Sequence, residues 1–101
     1  MEPTPKTKRL RSMSAIVEHY DNGDSILVSY STVVAAIVDG RAYVTPHWDC
    51  SVTTLKHVKT YLRDYWDLDM SAADIRYIIR NNGIHVATWR EIQDKVNEGR
   101  L

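Results

Sequence analysis

Apolar and polar residues alternate along the first half of the chain and recur at helical spacing along the second. From Met13, Ala15, Val17 and His19 fall on one side of an extended segment and Ile16, Glu18 and Tyr20 on the other. Asp21-Asn22-Gly23-Asp24 supplies residues that tolerate positive φ, and Ile26, Val28 and Tyr30 resume the alternation, which predicts a hairpin. A two-residue Asn22-Gly23 loop sets Val17 opposite Val28 and Ala15 opposite Tyr30. No turn signal separates Ser25 from Val38, and an unbroken strand of that length would exceed about 45 Å, so a bend or bulge is expected near Ser29 to Ser31. Thr32 to Val38 is apolar at almost every position, the pattern of a central strand covered on both faces. Asp39-Gly40 makes the next tight turn, pairing Ile37 with Ala42 and Ala35 with Val44, and Pro46 ends the fourth strand.

After the loop His47-Trp48-Asp49-Cys50 the period becomes helical. With Ser51 or Thr53 as N-cap, a helix runs to about Trp66, carrying Leu55, Val58, Leu62, Tyr65 and Trp66 on one stripe and Lys56, Lys59 and Arg63 on its neighbour. Ser71 and Asp74 form a capping box for a second helix whose buried face is Ala72, Ile75, Ile78 and Ile79. Gly83 at C′ suits a Schellman ending, with Ile84 returning onto Ile79. Thr88 and Glu91 cap a third helix that points Trp89, Ile92 and Val96 inward. The expected fold is α+β: a four-stranded antiparallel meander followed by three helices packed on one face of the sheet.

Residues 1–12 show no apolar periodicity and hold Lys6, Lys8, Arg9 and Arg11 against Glu2, so they read as a flexible basic tail before a single domain over 13–101. A hydrophobic content of 44% excludes a wholly disordered chain. Net charge is zero, which leaves the body mildly acidic and argues against a domain that wraps its folded surface in nucleic acid. No apolar run approaches the roughly 20 residues of a membrane span, and no signal-peptide core is visible, so a cytoplasmic protein is expected. The single cysteine, Cys50, cannot form an internal disulfide.

Tyr30-x-Thr32-x-Val34-Ala35, then Asp39-Gly40, Tyr43, Thr45, and Ser51-x-Thr53-Thr54-x-Lys56-His57 with Leu62 behind resemble the pattern of a small domain family that recurs in bacteriophages and other mobile elements. The resemblance covers about a third of the chain, and Thr-Thr-x-Lys-His is its most specific part. It implies an origin, and with it a host bacterial cytoplasm, together with a fold. It implies no mechanism.

His47, Asp49, Cys50 and His57 form the one cluster with ligand chemistry, but their spacing matches no paired zinc motif. The simpler expectation is that His57 bonds a loop carbonyl or a threonine hydroxyl and fixes the helix start. Cys50 with His57 lacks an orienting third group for nucleophilic catalysis. Asp64, Asp67 and Asp69 lack the glycine and closing glutamate of a calcium loop. No enzyme, cofactor or metal site is therefore expected.

The function expected is that of a small non-enzymatic phage or mobile-element accessory protein that binds a host or phage protein and inhibits a host enzyme or defence system, in the manner of an anti-CRISPR protein. Its surface would be the second face of the sheet, Ile16, Leu27, Val34, Val38 and Tyr43, which also serves for a homodimer. The competing reading of that face is that the third helix or the tail covers it. The alternative function is a nucleic-acid-binding accessory or regulatory protein using Lys6, Lys8, Arg9, Arg11, Lys56, Lys59 and Arg63. To these it adds Arg90 and Gln93 of a helix-turn-helix-like C-terminal pair.

Overall fold

A computed structural model describes residues 5–11 and 14–98. The chain forms six strands, β1 (Lys6–Arg9), β2 (Ala15–His19), β3 (Ser25–Ser29), β4 (Thr32–Val38), β5 (Arg41–Val44) and β6 (Ile84–Val86), and three helices, α1 (Val52–Trp66), α2 (Ala72–Arg80) and α3 (Trp89–Glu98). All six strands join one sheet in sequence order. The first five are antiparallel neighbours, so the expected meander is present as β2 to β5, while β6 returns parallel to β5 after the chain has passed through α1 and α2. The α+β class holds, with two strands more than expected.

Residues 6–9 are strand where a tail was expected. They pair with β2 from Lys6 opposite His19 to Arg9 opposite Ile16, and the strand is pinned by Leu10, buried to 2% exposure in the main core. The first four residues of that segment and Ser12 lie outside the described residues.

Register decides which side chains meet which helices. The Asp39-Gly40 turn pairs Ile37 with Ala42 and Ala35 with Val44, as the sequence predicts. The first hairpin differs by one residue: its loop spans Tyr20 to Asp24, so Val17 meets Leu27 and Ala15 meets Ser29. A slip of one residue turns every side chain of β3 to the opposite face. The cause is Asp24. Its backbone N–H bonds the Asn22 side chain at 3.1 Å and its Oδ1 accepts the Asp39 N–H at 2.9 Å, so a long-range contact widens the loop. Tyr30-Ser31 then forms a tight turn at the expected bend, with Tyr30 at φ +58°, and the register shifts once more between Leu27 and Val28. Beyond that bulge Val34 and Ala35 both enter the same core, and Thr45 secures it, its N–H bonding Val34 O and its Oγ1 bonding Val33 O.

The helices cover both faces of the sheet, not one. On the first face Val17, Leu27, Ala35 and Val44 pack with Val58, Tyr61 and Leu62 of α1 and Ile75 of α2. On the other, Ile26, Ala36, Val38 and Tyr43 pack with Ile92 and Val96 of α3. The expected exposed face therefore does not exist as a set. Leu27 and Val34 are turned into the first core by the slip and the bulge, Val38 and Tyr43 lie in the core beneath α3, and Ile16 remains 37% exposed near the β1 edge. A homodimer through that face has lost its surface.

Ser51 is the N-cap of α1, its hydroxyl accepting the Thr54 N–H, and the Ser71–Asp74 capping box opens α2. The Schellman ending of α2 is present one position earlier than expected. Asn82 takes the left-handed conformation at φ +62°, its N–H bonds Ile79 O, and the Gly83 N–H bonds Ile78 O at 2.9 Å.

Candidate partner-binding surface

The Tyr30 turn and the start of α1 interlock. His57, buried to 2% exposure, projects from α1 onto β3, where its Nδ1 pairs with Ser29 Oγ at 2.8 Å. The Tyr30 ring packs against the imidazole with centroids 5.8 Å apart, and the Tyr30 N–H bonds Ser14 O. Burial pushes the His57 pKa down and the neighbouring Lys56 charge adds to the effect, so the neutral ring is favoured. The hydroxyl that satisfies His57 is thus a serine of β3 rather than a loop carbonyl or a threonine. Tyr30, Lys56 and His57 of the sequence pattern meet at this junction.

The other members of the expected ligand cluster face elsewhere. Asp49 pairs with Arg76 at 3.2 Å, and the Cys50 thiol reaches Thr54 Oγ1 at 3.7 Å. Among the described residues no three His, Cys, Asp or Glu side chains gather as a metal site. Asp64 accepts two bonds from Arg11 at 2.7 Å each, which hold its carboxyl below the usual range, and Asp67 serves as the left-handed C-cap of α1.

One surface combines exposed aromatic, apolar and cationic side chains. Thr88 and Glu91 cap α3, the Glu91 N–H bonding Thr88 Oγ1 at 3.2 Å, and this leaves Trp89 at the first helical position, over the end of the sheet. Trp89 is 55% exposed instead of buried as expected, with the Arg90 guanidinium 5.4 Å from its ring centre. It borders a groove of about 630 Å³ whose apolar wall is Val33 and Pro46 and whose polar rim is Ser31, Thr32, Thr45, His47, Thr88 and Arg90. Tyr30, next to Ser31, is 64% exposed, but its ring packs on His57 on the α1 side and does not line this groove. Trp and Arg are among the side chains that dominate protein interfaces, Trp because it offers large area at small entropic cost with a polar handle and Arg because its planar fork makes several hydrogen bonds. The sequence signal available for Trp89 was its place directly after the cap, where a helix has not yet reached the sheet.

The nucleic-acid candidates divide. Lys6, Lys8 and Arg9 lie exposed on β1, while Arg11, Lys56, Lys59 and Arg63 line a second groove of about 500 Å³ along α1. Arg90 and Gln93 are on α3, where Gln93 bonds Asn97. β6 intervenes between α2 and α3, and the two helices pack on opposite faces of the sheet, so no helix-turn-helix forms.

Residues 2–77 match the model of a family of unknown function, DUF8033, and the chain belongs to that family. The match takes in the first five strands, α1 and part of α2, so the Trp89 side of the groove lies beyond it. No curated protein and no solved structure matches the chain. Among the described residues no helix is long and apolar enough to cross a membrane.

Proposed function

We propose that the protein is a non-enzymatic binding module that recognises another protein through the groove between the Tyr30 turn and Trp89. The observation that carries this is the exposed Trp89 side chain, which borders an apolar wall of Val33 and Pro46 with the Arg90 guanidinium over its ring. The phage-like sequence pattern supports the wider setting: a small accessory protein in the host bacterial cytoplasm that restrains a host enzyme or defence system. The alternative of a nucleic-acid-binding accessory protein draws on the basic groove of α1 and has lost its helix-turn-helix.

Capture from a bacterial lysate, with and without nuclease, tests the proposal. The wild type retains a protein partner in both conditions, and Trp89→Ala, which removes a side chain outside both cores, loses it while keeping the wild-type circular dichroism. Equal capture by Trp89→Ala, or a partner that disappears with nuclease, overturns it.

A further inference from the structure

We propose that the exposed stripe of α1 is a second docking surface, fitted to an acidic segment of a protein that also carries apolar side chains. Val52, Lys56, Lys59 and Arg63 stand exposed and, with half-buried Leu55 and buried Thr60 between them, follow helical i, i+3, i+4, i+7 spacing and form one wall of a single groove. At 1.5 Å per residue the stripe runs about 16 Å, the length of three helical turns of a partner. Its chemistry changes along that length. Val52, 86% exposed, and Leu55 make an apolar end, and Lys56, Lys59 and Arg63 make a cationic one.

The charges that count are those left unneutralised. Arg11 and Arg63 both approach Asp64, whereas among the described residues neither Lys56 nor Lys59 forms an ion pair. Lys6 and Lys8 stand opposite His19 and Val17, whose side chains face α1, and so add positive charge on the same side of the sheet. A carboxylate-bearing segment complements this face. A phosphodiester backbone does so less well: Asp69 in the groove and Asp64 beside Arg63 act on either anion alike, but the apolar end would lie against charged sugar-phosphate with nothing to bury. An amphipathic acidic segment meets both ends at once, laying its apolar residues on Val52 and Leu55 and its carboxylates on the lysines.

The inference is independent of the Trp89 groove. The full chain is titrated, with fluorescence anisotropy as readout, into three labelled probes at low salt: a 15-residue helical peptide with glutamates spaced to meet Lys56, Lys59 and Arg63 and leucines at the end facing Val52; its scrambled form with the same composition; and a 15-nucleotide oligothymidylate. The ordered peptide binds saturably and at least tenfold more tightly than the other two. Binding falls at least tenfold in Lys56→Glu/Lys59→Glu, or in Lys56→Gln/Lys59→Gln should the charge reversal disturb the fold, and is unchanged in Trp89→Ala. Absence of saturable binding, equal binding of the scrambled peptide, tighter binding of the oligonucleotide, or indifference to the lysine substitutions each overturns the proposal.

Discussion

Gly83 is glycine because Ile78 leaves no room for a side chain: a Cβ built there comes 2.7 Å from Ile78 Cγ2, closer than carbon atoms approach. The same residue closes the end of α2 through its N–H bond to Ile78 O. Gly83→Ala must displace either Ile78 or the cap, and overpacking of this kind costs about 1–3 kcal/mol. The expected result is a lower urea midpoint with an unchanged slope. His57 gives a second expectation at this scale. Its folded pKa lies below its ordinary value of 6.5, so below about pH 6.5 the unfolded chain takes up a proton more readily than the folded one. Stability is full above that pH and falls as the pH is lowered toward the depressed folded value. The carboxylates of Asp64 and Asp74, also depressed, are titrated only further into acid. His57→Asn is less stable at neutral pH and should lose the slope near pH 6, measured as urea midpoints from pH 5 to 8; a slope that survives the substitution assigns it to another group.

Among the elements, those with strong local patterns were legible and those made by tertiary contact were not. The Asp39-Gly40 hairpin and the helix caps of Ser51, Ser71 and Thr88 follow from side chains within four residues of one another. β1 carries Lys-Thr-Lys-Arg, four exposed residues with no apolar face, and is a strand only because β2 offers an open edge and Leu10 finds the core. β6 is three residues long, too short for periodicity to register, and exists because α1 and α2 return the chain beside β5. The β1 assignment reverses the expectation that the N-terminal segment is a flexible tail. Leu10→Ala removes a buried leucine side chain and should cost about 2–4 kcal/mol. Deletion of residues 1–11 should lower the melting temperature at least as much, since it removes Leu10 together with the β1 pairing and the Arg11–Asp64 contact. A truncated protein that melts with the wild type would show that β1 does not contribute to the folded state.

For the molecule as a whole, the sheet is the middle of three layers, and the crossing of α3 to the far face was beyond the reach of the sequence, because Ile92 and Val96 mark one apolar side of a helix without saying which face receives it. With both faces covered, the surfaces open to association among the described residues include the grooves at Trp89 and along α1 and the two sheet edges. The β6 edge is short. The β1 edge is longer, and since the Leu10 N–H bonds inward to Ala15 O, alternation points the backbone groups of Thr7 and Arg9 outward, where another strand could pair with them. Lys6, Lys8 and Arg9 stand exposed along that edge, and charged side chains are a recognised means of keeping open edges apart, because a second copy would bring like charges into register. Replacing all three by threonine keeps β propensity, touches no core residue and removes the repulsion. The variant should retain its circular dichroism and sediment as concentration-dependent dimers or larger species, while the wild type at the same concentration does not associate. If the variant sediments as the wild type does, the three cations are not what keeps this edge free.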